Sequence, residues 1–490
     1  MNTTSTPHED SAVAQPGYRR DQLTCGIVHF GVGNFHRSHQ AMYLDRLMNA
    51  GQALDWAICG VGVLPGDRAM RDALAAQDYR YTLVLKHPDG HHEARTIASI
   101  ADYLFAPDDP EAVLTRLAAA STRIVSLTVT EGGYNIDKVT GAFDLAHPQV
   151  AADLAAAASG GTPTTVFGYV VEALRRRRDA GTGAFTVMSC DNIQSNGDVA
   201  RRSFLAYAQA RDPELAAWIA AHVTFPNSMV DRITPVTTDA DRALVRERFG
   251  VADRWPVMAE PFTQWALEDH FCAGRPPFED AGVLLVDDVE PYELMKLRLL
   301  NASHQALAYS GWLSGHVYAS EAASDPLIVA LLTRWMAEAT PTLRPVPGID
   351  LDAYRATLLE RFANPEIRDT LARLCAETSD RIPLFLLPAV RENLAATRPV
   401  EAGAFVLASW ARYAEGVDEA GGTYPVVDPL ADTLVPLARS QGEHPLAFLA
   451  NEAIFGELAG DEALTAPYLH ALTTMKTDGI RAALTHLNDE

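Results

Sequence analysis

Two periodicities of hydrophobic residues alternate along the first half of the chain. Short runs rich in β-branched and aromatic residues predict strands at residues 26–30, 56–61, 81–85, 123–128 and 185–190. Between them, apolar residues spaced three and four apart predict amphipathic helices at residues 38–50, 68–76, 110–119 and 165–180. This alternation is typical of an α/β fold in which helices cover both faces of a parallel sheet.

The second half of the chain has a different pattern. Residues 192–290 are rich in turn residues and predict a transitional region, whereas the chain from Tyr292 onward is mostly helical, with interruptions at prolines such as Pro341 and Pro383. The length of 490 residues favours two domains, because one hydrophobic core seldom organises a chain of this size. We therefore predict a disordered segment at residues 1–20, an α/β domain at residues 21–288 and a mainly α-helical domain at residues 289–490.

Composition narrows the classes of function. The formal net charge of -23 opposes binding to nucleic acids and to anionic membranes, so we expect neither as a partner. No segment has the length and hydrophobicity of a membrane span or a signal peptide, which predicts a soluble cytoplasmic protein. The 5 cysteines include no Cys-x-x-Cys pair, and the histidines lack zinc-ligand spacing, so we predict reduced thiols and no metal site.

A glycine motif directly follows the first predicted strand. Residues 31–37 read GVGNFHR and lead into a predicted helix, so that Gly31 would allow a tight turn and Gly33 would let the backbone approach a pyrophosphate. His36 stands where the G-x-G-x-x-G motif has its third glycine, and two glycines also occur in ordinary turns. The position between strand and helix favours dinucleotide binding. The candidate cofactor-binding residues of this turn are Gly31, Gly33, Asn34, Phe35, His36 and Arg37.

An acidic residue at the end of the second strand would bind the ribose of a dinucleotide. Asp67 follows the predicted strand at residues 56–61 after a short loop, although its separation from the glycines exceeds the usual spacing of about 20 residues. The neighbouring Arg68 could instead bind a 2′-phosphate, and Asp67 could simply cap the helix that begins beside it. We expect NAD as the cofactor, with NADP as the alternative.

Lys296 is the most informative residue of the chain. Of 40 cationic residues only four are lysine, and Lys296 alone among these lies in a long apolar helical stretch, residues 292–311. At about 100° per residue, Lys296, His304 and Asn301 fall at roughly 0°, 80° and 140° around an α-helix, so all three can face one cavity. A desolvated lysine can accept a proton near neutral pH, which an arginine cannot do. The alternative is a lysine that extends to the surface beside two satisfied core residues.

Tyr292 and Lys296 also have the Tyr-x-x-x-Lys spacing of short-chain dehydrogenases. In that family the pair lies within a single, shorter domain and follows a different glycine motif. Here the pair begins the second predicted domain, and we therefore interpret the match as a coincidence.

Residues 31–39 and 296–304 together resemble the polyol-specific long-chain dehydrogenases and reductases. The resemblance runs from Gly26 to about His486, and its other specific stretches are residues 126–134 (SLTVTEGGY), 187–192 (VMSCDN) and 225–235 (FPNSMVDRITP). It implies a Rossmann-type N-terminal domain, a mainly α-helical C-terminal domain, and metal-independent hydride transfer between NAD(H) and a sugar alcohol–ketose pair. D-Mannitol and D-fructose are the pair that we expect.

The resemblance also implies a role for each matching residue. Lys296 would be the general base, and the carboxamides of Asn192 and Asn301 would hold the reacting oxygen. Two such donors can stabilise alkoxide character without a metal. The residues that would contact the polyol are His304, Asp231, Arg373 and Arg381, and Glu293 would relay the proton outward.

The residues themselves leave simpler interpretations open at some of these positions. Asn192 could be an ordinary turn asparagine, although it follows a predicted strand at the end where α/β sheets bind ligands. Asp231 could form an ion pair with Arg232. Arg373 and Arg381 could be solvated surface residues.

The chain also departs from the family pattern. Family members that oxidise mannitol have lysine at the positions of Arg381 and Leu384, and they tend to have an acidic residue at the position of Gly66. Arg373 and Arg381 together could bind a carboxylate, so a fructuronate reductase is the main alternative, followed by dehydrogenases of D-arabinitol or D-sorbitol. A catalytically silent nucleotide-binding regulator is an alternative of another class. The proton acceptor at Lys296 argues against it, because binding alone needs none.

Overall fold

The computed structural model describes residues 12–137 and 141–489. The chain divides into two compact units, Met1–Glu290 and Pro291–Glu490. The first unit combines sheets with helices, and the second is mainly helical, as predicted. No helix in the described ranges is both long enough and apolar enough to cross a membrane.

The strands described for the first unit form three sheets. They are β1 Cys25–Phe30, β2 Ala57–Gly62, β3 Tyr81–Lys86, β4 His92–Ile97, β5 Ile100–Phe105, β6 Ile124–Leu127, β7 Thr186–Ser189, β8 Ser228–Asp231, β9 Val257–Ala259, β10 Gln264–Glu268 and β11 Leu284–Val286. The largest sheet is parallel throughout and has the order β5-β2-β1-β6-β7. The chain winds from β1 through β2 to β5 and then resumes on the other side of β1 with β6. Open α/β sheets bind ligands at such a reversal, beyond the carboxyl ends of the strands.

The helices described for the first unit follow the alternation predicted from the sequence. They are α1 Asn34–Ser38, α2 Gln40–Asn49, α3 Asp67–Ala75, α4 Pro110–Ala118, α5 Pro148–Ala158, α6 Val166–Ala180, α7 Asn196–Arg211, α8 Pro213–His222 and α9 Asp239–Phe249. Short 3-10 helices lie at Arg20–Gln22, Leu54–Trp56, Glu131–Tyr134 and Phe278–Ala281. The four predicted helices are confirmed as α2, α3, α4 and α6. Strands β1, β2, β6 and β7 are buried along their whole length, as expected for a sheet that helices cover on both faces.

The strand predicted at residues 81–85 forms, but it lies outside the parallel sheet. As β3 it pairs antiparallel with β4 and parallel with β9, and β5 takes the place beside β2. The chain turns between β3 and β4 at Pro88, Asp89 and Gly90, where Gly90 has a φ of 82°. The His87 amide donates to the carbonyl of His91 at 2.9 Å. Pro-Asp-Gly is a turn signal, so this hairpin could have been predicted.

Residues 192–290 are more regular than predicted. They contain α7, α8 and α9, and also β8 to β11. β10 pairs antiparallel with β8 and parallel with β11. These strands are only three to five residues long, which is too short for a clear alternation of apolar and polar residues.

The structure also differs from the predicted disordered segment at residues 1–20. Residues 1–11 lie outside the described residues, but residues 12–20 make specific contacts. The Ala14 amide donates to the carbonyl of Ala94 at 3.0 Å, and the Thr96 amide donates to the carbonyl of Ala14 at 2.8 Å. Tyr18 donates to the carboxylate of Asp45. These partners are distant in sequence, so local composition could not reveal them.

The described helices of the second unit begin with α10 Glu290–Met295 and a π-helical segment, Lys296–Asn301, which we call the π segment. The remaining helices are α11 Ala302–Leu313, α12 Ala319–Ala322, α13 Pro326–Ala339, α14 Leu351–Phe362, α15 Leu371–Cys375, α16 Thr378–Phe385, α17 Leu387–Ala395, α18 Glu401–Tyr413, α19 Ala431–Ser440, α20 Glu452–Phe455, α21 Glu462–Asp478 and α22 Ile480–Asp489, with 3-10 turns at Thr340–Thr342 and Leu458–Gly460. Pro383, predicted to interrupt a helix, lies inside α16. Helix α11 is buried on nearly all sides and packs against α13, α15 and α18.

The helix that contains Lys296 changes its register in the middle. In the π segment the Ala302 amide bonds to the carbonyl of Leu297, five residues back, whereas an α-helix bonds four residues back. Single π turns inside α-helices are rare, and they occur frequently at functional sites. The separation of about 140° between Lys296 and Asn301, which holds for an α-helix, therefore does not apply.

Candidate active site

The glycine turn after β1 is held by backbone sterics. Gly31 has a φ of +89°, and a Cβ atom there would lie 2.0 Å from the carbonyl oxygen of Thr128. A side chain is therefore excluded on two grounds, the left-handed backbone and the contact with the neighbouring strand end. Gly33 differs, because its φ is -102° and a Cβ would meet nothing closer than 3.8 Å. Within the first unit alone, Gly33 has no packing reason to be glycine, which is consistent with space kept for a ligand.

A buried hydrogen-bond network lies beneath this turn. His29 Nδ1 is 2.8 Å from the hydroxyl of Ser126, and His29 Nε2 is 2.9 Å from the hydroxyl of Thr128. Thr128 donates to the carbonyl of Gly31 at 2.6 Å, and Ser126 donates to the side-chain oxygen of Gln40 at 3.0 Å. Burial lowers the pKa of His29 to about 3, so the ring is neutral at physiological pH. The network joins the ends of β1 and β6 and fixes the carbonyl of Gly31.

His36, at the position of the usual third glycine, stacks on His29 with ring centroids 3.5 Å apart. Burial lowers the pKa of His36 well below its ordinary value, and its ring nitrogens have no hydrogen-bond partner among the described residues. The third glycine of a dinucleotide-binding motif normally permits close packing of helix on strand. Here two neutral imidazoles fill that space, which explains how the turn tolerates a large residue. Phe35 continues the aromatic packing and stacks on His39, with centroids 4.9 Å apart.

Asn34 and Arg37 support the turn with their side chains. Asn34 donates to the carbonyl of Pro235 at 2.9 Å and to the hydroxyl of Thr237 at 3.0 Å. Arg37 is fully buried, and it donates to the Asn34 side-chain oxygen at 2.6 Å and to the carbonyl of Trp255. Burial lowers the pKa of Arg37 to about 10. Arg37 is predicted to be a cofactor-binding residue, but in the structure its charge lies beneath the turn, in the protein interior.

Asp67 lies at the carboxyl end of β2, as predicted. Its Oδ2 atom accepts hydrogen bonds from the amides of Val63 and Leu64 at 3.0 and 2.9 Å, which fixes the loop after the strand. Arg68 is paired with Asp108 through a hydrogen bond of 3.0 Å. A 2′-phosphate would have to compete with the carboxylate of Asp108 for Arg68.

Asn192 follows β7 in an exposed bend beside the buried Asp191. The Asp191 carboxylate accepts hydrogen bonds from the amides of Val129 and Thr130 at 3.1 and 2.7 Å, and from the hydroxyl of Tyr134 at 2.8 Å. Two of the family-like stretches, residues 126–134 and 187–192, are thus joined by one carboxylate. Thr130 has a φ of +66°, a strained conformation for a β-branched residue, and the hydrogen bond from its amide to Asp191 helps to hold it.

The third family-like stretch, residues 225–235, packs against the helix that follows the glycine turn. Arg232 is buried, and its guanidinium donates to the carbonyl of Ser38 at 2.6 Å and to the carbonyl of Glu260 at 2.8 and 3.0 Å. The Ser38 hydroxyl lies 2.7 Å from that of Thr234. Asp231, the last residue of β8, is buried beside this segment. Backbone carbonyls therefore take the Arg232 donors, and the ion-pair interpretation of Asp231 and Arg232 is not needed to explain the buried guanidinium.

In the second unit, Lys296 is the first residue of the π segment, and its side chain is buried, with the residue 7% exposed. The surface interpretation of Lys296 is therefore wrong. Glu293 lies three residues earlier and is also buried, at 5% exposure. A lysine and a glutamate on the same side of one helix can exchange a proton, directly or through water.

Asn301 and His304 follow Lys296 on the same helix and are half-buried. In the π segment, hydrogen bonds join residues five apart, so Lys296 and Asn301 lie about one turn apart on one side of the helix. The His304 ring packs on Phe362 of α14, with centroids 4.7 Å apart. The structure thus arranges Lys296, Asn301 and His304 along one stretch of helix, two of them in closer alignment than an α-helix would allow.

The two predicted substrate arginines already have carboxylate partners. Arg373 forms a two-bond ion pair with Asp369, and its side chain is 60% exposed. Arg381, on α16, lies 3.5 Å from Glu377, and its helix packs against the π segment. A substrate carboxylate would therefore have to compete with Asp369 and Glu377 for these guanidinium groups.

Several residues that organise this site are not predicted from the sequence. His29, Asp191 and Thr130 hold the strand ends of the first unit, and in the second unit Trp335 donates a hydrogen bond to the carbonyl of Arg298, inside the π segment. Asp191 could have been found from its position next to a predicted buried strand, because a carboxylate at such a position needs several hydrogen-bond donors. Nothing in the local sequence pattern indicates that the helix changes register at Lys296.

A Rossmann-type sheet with a dinucleotide turn, and a helical unit with a buried lysine beside carboxamide and imidazole groups, define a two-domain nucleotide-dependent dehydrogenase. The family models agree with this class. Residues 25–280 match the mannitol dehydrogenase Rossmann domain, and residues 288–476 match the mannitol dehydrogenase C-terminal domain. The chain belongs to the mannitol dehydrogenase family.

Individual relatives are similar over nearly the whole chain. Mannitol 2-dehydrogenases of Phaeosphaeria nodorum and Aspergillus fumigatus are each 46% identical across 96% of this chain, covering 83% and 94% of those proteins. The solved ternary complex of Pseudomonas fluorescens mannitol 2-dehydrogenase with NAD and D-mannitol is 46% identical, covers 98% of this chain and 97% of that one, and has a TM-score of 0.85. A D-sorbitol dehydrogenase in substrate-free form is 42% identical, with 97% and 98% coverage and a TM-score of 0.91.

Proposed function

We propose that this protein is an NAD-dependent polyol dehydrogenase that interconverts D-mannitol and D-fructose without a metal. The observation that carries the proposal is the buried Lys296, one helical turn from Asn301, in a chain that matches the mannitol dehydrogenase family in both domains. The relatives named mannitol 2-dehydrogenase, and the one solved with NAD and D-mannitol, support this choice of cofactor and substrate.

Lys296 is proposed to take the proton from the hydroxyl group that becomes the ketone oxygen. Burial disfavours the charged form of a lysine, so a buried amine can accept a proton near neutral pH. Bound NAD+ supplies the hydride acceptor. Asn192 and Asn301 donate hydrogen bonds to the same oxygen and stabilise its developing negative charge, a role for which fixed amide donors suffice.

The remaining predicted residues have supporting roles in the proposal. His304 and Asp231 orient the other hydroxyl groups of the polyol, and Glu293 passes the proton from Lys296 to solvent. Arg373 and Arg381 contribute less than the sequence resemblance implies, because Asp369 and Glu377 already pair with them. This pairing also weighs against a sugar acid as the substrate, since a carboxylate would have to displace both partners.

The residues that follow β2, Asp67 and Arg68, favour NAD over NADP. The carboxylate of Asp67 is proposed to bind the ribose hydroxyls of the cofactor, and Arg68 is paired with Asp108. The Asp67→Ala variant should bind NADH about tenfold more weakly, the range for one lost charged hydrogen bond, without gaining affinity for NADPH. Fluorescence titration with both cofactors measures this. A variant that prefers NADPH would show that Arg68 is available to a 2′-phosphate.

Parallel assays of cofactor absorbance test the substrate. Purified protein is mixed with NAD+ and D-mannitol, D-arabinitol or D-sorbitol, and with NADH and D-fructose or fructuronate. We expect the highest kcat/KM for mannitol and fructose. Turnover of fructuronate alone would replace the proposal with a sugar-acid reductase, preference for sorbitol would move it to the neighbouring dehydrogenase class, and NADH binding without any turnover would favour a regulator.

The small-molecule polyol is the proposed partner, and the cytoplasm is the proposed location. The cysteines Cys25, Cys59, Cys190 and Cys375 are buried free thiols, and Cys272 is an exposed one. Free thiols suit a reducing compartment. Fractionation of cells that express a tagged full-length chain tests the location, with recovery in the cytosolic fraction expected.

A further inference from the structure

The carbonyl of Arg298 lies at the point where the catalytic helix changes register. The amide of Ala302 donates to the carbonyl of Leu297, five residues back. In the α-helix that resumes at Ala302, each amide donates to the carbonyl four residues back. A change from five-residue to four-residue spacing leaves one carbonyl without an amide partner in the helix. The carbonyl of Arg298 is the next in order, and it accepts a hydrogen bond from the indole Nε1–H of Trp335 at 3.0 Å.

This hydrogen bond is formed in the interior. Trp335 lies on α13 and is fully buried, and Arg298 is 6% exposed. A buried carbonyl without a hydrogen-bond partner destabilises the folded state, so the π register would be unfavourable unless something satisfied this carbonyl. The indole supplies that partner from a different helix.

The side chain of Arg298 holds the same turn from two further elements. Its guanidinium donates to the carbonyl of Thr342 at 2.7 Å and forms hydrogen bonds of 2.7 and 2.9 Å with the carboxylate of Glu392 on α17. One residue in the middle of the π segment is thus tied to α13, α17 and the turn at Thr340–Thr342. We call Trp335, Arg298 and Glu392 the register clamp.

The register matters for the chemistry because of the two residues at the ends of the π segment. In an α-helix, residues five apart point roughly 140° away from each other. In the π register the same two residues are related by one turn, and their side chains leave the helix on the same side. The clamp therefore has a consequence for Lys296 and Asn301, although none of its members needs to touch substrate.

We propose that the register clamp holds the π register and so aligns the amine of Lys296 with the carboxamide of Asn301, with Trp335 as a positioning residue that acts through its indole N–H and with the ion pair of Arg298 and Glu392 as its second tie. The inference rests on the proposed function, because alignment is useful only if both groups act on one oxygen. It assigns to the core of the helical unit a role beyond stability.

The test replaces the hydrogen-bond donor and keeps the aromatic volume. Trp335→Phe removes the indole N–H, and Trp410→Phe is the matched control, since Trp410 is equally buried in the same unit and packs on Phe448 and Phe455. Active molecules are counted by NADH binding. The rate of hydride transfer per binding site is then measured in a single turnover with mannitol, both unlabelled and deuterated at the reacting carbon.

We expect Trp335→Phe to slow hydride transfer by about tenfold or more, the scale of a small misplacement of catalytic groups, and to raise the deuterium isotope effect on kcat/KM while NADH affinity is retained. Trp410→Phe should leave the rate per site and the isotope effect unchanged. A purely structural role would lower only the number of active sites. Equal rates per site in Trp335→Phe and the wild type would contradict the proposal, as would an equal loss in both variants.

Two further measurements keep the test decisive. If Trp335→Phe does not fold, Glu392→Gln weakens the clamp from a half-exposed position, and an unchanged hydride-transfer rate in that variant would overturn the proposal. If the wild type oxidises no polyol, the proposed function fails, and crystal structures then decide the clamp. An Ala302 amide still bonded to Leu297 in a folded clamp variant would contradict it, and a shift of that amide to Arg298 would support it.

Discussion

The glycine turn of the first unit and the π segment of the second are both irregular conformations, but they are stabilised in different ways. Both hold a few atoms in a conformation that regular secondary structure does not provide. At Gly31 the conformation follows from the residue itself, because only glycine fits a φ of +89° with the Thr128 carbonyl 2.0 Å from the position of a Cβ. At Lys296 it follows from contacts with distant helices. The conformation at Gly31 can therefore be predicted from the sequence, whereas the π register at Lys296 can be recognised only in a structure.

We expect the largest effect when one methyl group is added to each glycine of the turn. Gly31→Ala should lose NADH binding entirely, and the first unit should unfold at lower urea, because the strained φ costs about 1–3 kcal/mol before the contact with Thr128 is relieved. Gly33→Ala should keep the stability of the free protein and weaken only NADH binding. Urea unfolding and NADH titration of both variants check this, and equal destabilisation by the two would show that the turn is not held as described.

The second prediction compares the two carboxamides, one from each unit. Asn192→Ala and Asn301→Ala should each lower kcat by roughly a hundredfold or more, the usual loss for one oxyanion donor, with little change in NADH affinity. Asn488→Ala is the matched control, because that carboxamide donates to the carbonyl of Leu327 near the end of the chain, and its kcat should be unchanged. A loss confined to one of the two would reduce the proposed pair to a single donor.

The smallest predicted effect concerns pH. The pKa of His29 is lowered from 6.5 to about 3 by burial, so between these values the unfolded chain binds a proton that the folded chain does not. Stability of the first unit should therefore fall as the pH drops below about 6.5, by up to about 1.4 kcal/mol per pH unit for this group. His29→Gln should be less stable at pH 7 but lose less on acidification to pH 5. Hydrogen exchange of β1 and β6 measures this, and identical slopes in variant and wild type would assign the acid sensitivity elsewhere.

Much of the fold could be predicted because its signals are local. Strands β1, β2, β6 and β7 and the four helices between them follow from periodicity, and the glycine turn follows from its place between strand and helix. The separate sheet of β3 and the short strands of residues 192–290 could not be assigned, since their pairing depends on partners far along the chain.

The candidate site divides in the same way. Lys296, Asn301 and Asp67 could be singled out by residue type and by their position within predicted elements, whereas the pairing of Arg373 with Asp369 and the buried position of Arg37 depend on three-dimensional neighbours. The angles predicted for the helix of Lys296 were wrong, because the π turn depends on tertiary contacts. The hydrogen bond from the Trp335 indole on α13 to the carbonyl of Arg298 cannot be predicted from the hydrophobic periodicity of α10 and α11.

In the proposed reaction, a neutral amine at position 296 accepts the proton while the first unit binds the cofactor. This role of the amine is tested most directly by NADH formation from mannitol in Lys296→Ala, with and without added methylamine, beside Lys476→Ala, whose lysine pairs with Glu415 at 2.7 Å. We expect Lys296→Ala to bind NADH normally, to lose turnover by roughly a hundredfold to ten-thousandfold, and to recover in proportion to free-base methylamine, while Lys476→Ala is unaffected. Near-normal turnover of Lys296→Ala without added amine would contradict this role.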